Sequence, residues 1–168
     1  IFSSTAIARY ISRMSRHVGL YGANILEGGM IDSWLEFCTH ELEVPLSTWV
    51  LPVMGAMTEV PEATAAAKED VKRALTVLDS HLLHNTYMVG NQITLADIAV
   101  CCALTDGMRL VFDGSFRKPY GNLMRWFDLC TMQPEFVSVL GTQTLYGGGG
   151  AAKADKKEAA PKKEAAPK

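Results

Sequence analysis

Two hydroxyl side chains, Ser3 and Ser4, stand at the entry to the first helical stretch of this chain, and a second pair, Thr94 and Asp97, stands at the entry to a later one. Such groups can satisfy the free amides of a helix start, or they can join those amides and the positive helix pole in holding an anion. In Ile93-Thr94-Leu95-Ala96-Asp97-Ile98, preceded by the turn formers Gly90 and Asn91, Thr94 is placed to accept from the Asp97 amide. Asp97 is placed to reach back to the Thr94 amide, and Ile93 to pack on Ile98. A carboxylate here could also serve as a catalytic acid, but at the third helical position it reads as a cap. Its loss in Asp97→Ala is expected to cost on the order of 1–2 kcal/mol.

Other chemistry-bearing residues fall into weaker patterns. His81 and His84 lie three apart but have no third residue spaced to complete a metal site, and histidines near a helix end favour its negative pole. Cys38, Cys101, Cys102 and Cys130 form no C-x-x-C pair and sit inside apolar helical patterns, as buried free thiols of a reducing cytosol would. Trp34, Trp49, Trp126, Phe116 and Phe127 could stack nucleobases, yet their helical spacing assigns them to a core. Gly147 to Gly150 lack the lysine and the strand–helix context of a phosphate loop. The expected catalytic and metal-binding sets are therefore empty.

The elements that would position these groups are helical. A first helix is predicted over Thr5 to Arg13, with Ser3 or Ser4 as its cap. Ile31, Trp34, Leu35, Cys38 and Leu42 then recur at three- and four-residue spacing on one face of a long helix, which Pro45 and Pro52 must bend or end. Val71, Leu75, Leu78 and Leu82 line a third helix around Glu62 to His84. The run from Ile93 to about Phe112 is apolar on most sides between Ile98 and Leu104, so it reads as a central helix with neighbours packed around it. Leu123, Trp126, Phe127 and Cys130 mark a fifth helix, and Pro134 to Leu140 a short sixth ended by Gly141. No alternating strand pattern appears, so the expected fold is an all-α bundle of five or six helices.

The chain has 168 residues, 48% of them hydrophobic and 20% charged, enough for one domain with a real core. The longest uncharged apolar run is far too short to span a bilayer. Composition changes after Tyr146: four glycines lead into a Lys-Lys-Glu-Ala-Ala-Pro sequence repeated twice, which reads as a solvated linker. Six lysines against three acids make this tail positive, while the body carries −5. The tail can draw weakly on acidic surfaces, RNA included, without specificity. The opening residues have neither an initiator Met nor the layout of a secretory signal, so the chain is expected to start partway through a longer protein.

Ser-x-Ala-Ile at Ser4 to Ile7, the bundle, and Val-Gly-Asn-Gln-Ile-Thr-Leu-Ala-Asp-Ile at 89 to 98 together resemble glutathione transferases over residues 1 to about 145. The match is to the end of their thioredoxin-like domain and nearly all of their carboxy-terminal helical domain. Further stretches are similar to the gamma subunits of eukaryotic elongation factor 1: Val44-Pro45, Ser47 to Pro52, Ala67 to Val71, Ser115 to Arg117, Arg125 to Phe127 and Gln133 to Gly141.

The resemblance implies three regions: the last helix of a thioredoxin-like domain at 1–18, a transferase C-terminal-like helical domain at 19–146, and a linker at 147–168. It implies that Ser4 matches the serine that holds the gamma-glutamyl end of glutathione, with Ser3 standing where transferases usually carry an acidic or amide residue. Glutathione is thus the ligand to consider, and no cofactor is otherwise expected. The activating Tyr, Ser or Cys of transferases would lie upstream of Ile1.

The implied role is a cytoplasmic translation accessory subunit that anchors the nucleotide-exchange subunits of the elongation factor 1 complex. Homodimer formation is compatible with it, and no membrane or specific nucleic-acid partner is called for. A thiol transferase that activates glutathione for attack on electrophiles is the competing reading. A transferase-like appendage of an aminoacyl-tRNA synthetase would share the bundle but not the 115 to 141 signature.

Overall fold

The computed structural model describes residues 1–147, so the linker expected at 147–168 lies outside the described residues apart from Gly147. Among those residues the fold is all-α, as the apolar periodicity requires. Helix α1 (Ser4–Met14) is followed by a 3-10 turn at Arg16–Val18. A kinked rod comes next: α2 (Ile25–Phe37), a π turn (Cys38–Glu43) and α3 (Val44–Val53). Then follow α4 (Pro61–Leu82), α5 (Leu95–Leu110), the single turn α6 (Gly114–Arg117), α7 (Gly121–Thr131) and α8 (Pro134–Leu140).

The eight described α-helical segments exceed the expected five or six for two local reasons. Pro45 cannot donate to the Glu41 carbonyl, and the wider π turn ahead of it absorbs that break, splitting one predicted rod into two helices. Pro45 itself sits in the first turn of α3, where a missing donor costs little. Pro52 falls in the last turn, and Gly55 at φ 74° closes the end as Gly55 and Ala56 donate back to Pro52 and Leu51. The additional turn, α6, exists because Asp113 accepts from the Phe116 amide at 2.8 Å and from the Ser115 hydroxyl at 2.6 Å.

The predicted stripes lie inside. Ile31, Leu35, Cys38 and Leu42 are buried along the rod, with Trp34 half-buried beside Phe37 and His81. Val71, Leu75, Leu78 and Leu82 are buried on α4, as are Leu123, Trp126, Phe127 and Cys130 on α7. Helix α5 runs through the middle against α1, α2, α3 and α7. Its cover is incomplete, however: Cys102 is exposed, which corrects the expectation that all four thiols are buried.

Other contacts join residues distant in sequence. Asp79 of α4 seals the start of α7, accepting from the amides of Asn122 at 2.8 Å and Leu123 at 2.9 Å. Arg125 of α7 donates to the Leu82 carbonyl at the end of α4 at 2.8 Å. Arg117 donates to the carbonyls of Phe112 at 2.6 Å and Tyr146 at 2.9 Å, which ties the segment after α8 to the end of α5. Among the described residues, no helix is long and apolar enough to cross a membrane.

Helix α1 is amphipathic in the reverse sense. Ser12 is buried, and Ala8 packs against the core, while Ile7, Tyr10, Ile11 and Met14 point to solvent. Arg9 holds it to α2 by pairing with Asp32 and Glu36, each at 2.7 Å. The pairing keeps the guanidinium charged and holds the Glu36 carboxyl below the usual carboxylate range.

Candidate functional site

The two helix starts singled out by sequence differ in kind. At α5, Thr94 and Asp97 close a capping box. Asp97 Oδ2 accepts from the Thr94 amide and the Thr94 hydroxyl, both at 2.9 Å. Its Oδ1 accepts from the Met88 amide and from Trp126 Nε1, both at 2.8 Å. The carboxylate is wholly buried, and the first amide of the helix, Leu95 N, is taken by the Leu20 carbonyl at 2.8 Å. Four donors converge on one charge with no opening to solvent, so Asp97 locks a loop, a helix start and α7 together. Ile98 is half-buried against the core, and Ile93 is partly exposed just before the cap.

At α1 the predicted cap is not made. Ser3 occupies the cap position with φ 73° and makes no side-chain cap hydrogen bond. It is the one residue other than glycine among the described residues with positive φ, a conformation that costs on the order of 1–3 kcal/mol. A φ of 73° departs from the extended backbone that a capping residue normally adopts. Ser3 and Ser4 are both exposed, and the helix begins with its positive pole facing outward.

The remaining candidates are structural in their surroundings. His81 Nε2 lies 2.8 Å from the Met88 carbonyl and its ring rests 4.6 Å from Trp34, while His84 is exposed. Among the described residues no group of three His, Cys, Asp or Glu is arranged to hold a metal ion. Trp49 packs with Phe112 and Phe116 at ring separations of 5.4 and 5.3 Å, and Trp126 and Phe127 are buried. Burial pushes the Cys38 thiol up to about 12. The contact with Cys130, followed by burial, raises Cys101, and burial raises Cys102. All three stay protonated near neutrality and are poor nucleophiles.

Sequence reasoning missed the partner of Asp97 and a groove, among other features. Trp126 completes the Asp97 site from 29 residues away, a pairing that no local spacing encodes. A groove of about 230 Å³ opens between α3 and α5, bordered by Ser47, Leu51, Met54, Cys102 and Asp106. Its signal was the absence of large residues at Cys102 and Ala103.

The family profile described as "Glutathione S-transferase, C-terminal domain" matches residues 42–134. That is more than half of the 168-residue chain, and the chain belongs to this family. Within it, elongation factor 1-gamma-A of Xenopus laevis is 43% identical over 145 residues, which make up 86% of this chain and 32% of that protein. Elongation factor 1-gamma of Danio rerio is 41% identical with the same coverage. The chain spans about a third of the length of these relatives.

Among solved structures, the glutathione-transferase-like domain of elongation factor 1-gamma from Saccharomyces cerevisiae superposes with a TM-score of 0.80 at 18% identity, over 88% of this chain and 70% of that one. Glutathione transferase F2 from Populus trichocarpa gives 0.75 at 20%, over 83% and 68%. At these identities the superpositions speak to the fold alone.

Proposed function

We propose that the chain is the transferase-like portion of a translation elongation factor 1 gamma subunit, and that it works by holding the nucleotide-exchange subunits rather than by performing chemistry. The observation that carries this is the 43% identity to elongation factor 1-gamma over 86% of the chain. The buried chemistry is consistent with it. Asp97 is spent on four structural hydrogen bonds, and the three thiols with raised pKa values are held protonated. Two residues from the gamma-like stretches, Arg117 and Arg125, act as clasps between elements, so those stretches in part encode the rigidity of a platform. Co-purification of tagged chain with the exchange subunit from a translating extract is the expected result. A clean pull-down that lacks that subunit contradicts the reading.

A second reading is favoured by one observation, the open start of α1. Ser4 at an uncapped, outward-facing helix pole offers a hydroxyl and free amides to a carboxylate, and the strained Ser3 backbone holds that start open. We infer that this corner can take the gamma-glutamyl carboxylate of glutathione. Titration calorimetry with glutathione, on this chain and on a protein extended at its amino end, should give heat that Ser4→Ala reduces. Absence of heat at millimolar ligand leaves the two serines without that role. A chlorodinitrobenzene conjugation assay on the extended protein then separates binding from turnover.

A further inference from the structure

One cavity has no part in either reading. It is a cleft of about 800 Å³ between the end of α1, the turn after it and the first half of α2, within the size range of small-molecule sites. Its wall includes Ser12, Arg13, His17, Tyr21, Gly29 and Gln92. Ser12, 5% exposed, forms part of the inner wall. Gln92 is held at the edge because Gly19, at φ 74°, leaves space that a Cβ would take from its amide.

Charged side chains of both signs border the cleft, and they differ in how far their hydrogen-bonding groups are used. Asp32 lines it, but this carboxylate is taken by Arg9 at 2.7 Å and by the Tyr21 hydroxyl. Glu27 is folded onto the Ala23 amide at 2.7 Å and onto Asn24. Arg13 remains. Its guanidinium lies 4.2 Å over the Tyr21 ring and 4.0 Å from Asp32, beyond hydrogen-bond reach, and makes no hydrogen bond among the described residues. A stacked guanidinium with unused donors is a ready fork for an oxyanion.

Helix α2 also carries two successive glycines, Gly28 and Gly29, both in the cleft wall. Each weakens a helix. Tyr21 approaches Gly28, but a Cβ at Gly29 would meet nothing within 4 Å, so packing gives no reason for the second glycine. Space in the cleft does.

We propose that this cleft binds the oxyanion of a small ligand, a phosphate or a carboxylate, through the Arg13 guanidinium with the Ser12 hydroxyl and the Gln92 amide. The test is nuclear magnetic resonance titration of the full chain with inorganic phosphate and, separately, with citrate. Saturable shifts at Ser12, Gly29 and the Gln92 side-chain amide are expected with at least one of the two, and which one saturates names the oxyanion. Arg13→Ala should weaken binding at least about tenfold, and Arg13→Lys by less, because lysine keeps the charge and loses the fork. Gly29→Leu should weaken binding about tenfold while its melting temperature stays level or rises, which separates a filled cleft from a damaged fold. Shifts that never saturate with either anion overturn the proposal, as do shifts unchanged in Arg13→Ala. So does a dimer in sedimentation whose cleft resonances respond to neither anion in the titration.

Discussion

Helices α1 and α5 both open on a hydroxyl residue, yet the two starts are built in opposite ways. At α5 the carboxylate of Asp97 gathers Thr94, Met88 and Trp126 while Leu20 takes the first amide, and nothing is left for solvent. At α1, Ser3 stands at positive φ without capping, and the large apolar residues of the helix face outward. A hydroxyl at a helix entry therefore does not state its own role. The carboxylate three residues on, and the groups that arrive from elsewhere in the chain, decide whether the start is sealed. Three other starts are sealed by different means, α2 through Asn24, α6 through Asp113 and α7 through Asp79 from a neighbouring helix, whereas α4 and α8 begin on Pro61 and Pro134 without a side-chain cap.

The sharpest way to break this contrast is Asp97→Ala. It strands the Met88 and Thr94 amides and the Trp126 ring N–H in the core, so a loss of about 3–5 kcal/mol in chemical denaturation is expected. That exceeds the cost of a surface cap, and a loss near 1 kcal/mol would show that the buried donors find other partners. Trp126→Phe keeps the ring and removes one donor, for about 1–2 kcal/mol by the same measurement. In a double-mutant cycle it should couple to Asp97→Asn but not to Asp79→Ala.

Asp79→Ala opens the start of α7 and should cost about 1–2 kcal/mol. Ser4→Ala should change stability by less than about 0.5 kcal/mol, since no cap is lost, while lowering any affinity for glutathione. The smallest effect is at α6. The Ser115 hydroxyl and then the Phe116 amide hold the Asp113 carboxyl below the usual carboxylate range. A lowered folded-state value means that this contribution is complete above the ordinary carboxylate range and is lost as pH falls below it, through the lowered folded-state value. Circular dichroism in acid should show slight fraying that Asp113→Asn makes independent of pH.

Much of the α5 side could be read from sequence because its signals are local. The Thr94 and Asp97 spacing is a three-residue pattern, and Val71, Leu75, Leu78 and Leu82 repeat at helical period, so burial follows from one face being apolar. The misses share a cause. Trp126 to Asp97, Asp79 to Asn122 and Arg125 to Leu82 join residues 29 to 43 positions apart, and nothing near any of them in sequence names its partner. The Ser3 φ angle was equally hidden, since serine does not call for the left-handed region as glycine does. The cleft at Arg13 was hidden for another reason. Its space comes from Gly29, and a glycine within a helical pattern does not by itself reveal what fills the room it leaves.

Native-state hydrogen exchange, read amide by amide at the two helix entries, tests most directly whether α5 begins in a structural seal and α1 in an open contact face. The amides of Met88, Thr94 and Leu95 should exchange only through global unfolding, while those of Ser4, Thr5 and Ala6 should exchange close to the rate of an unprotected chain. Equal protection at both starts would contradict the account.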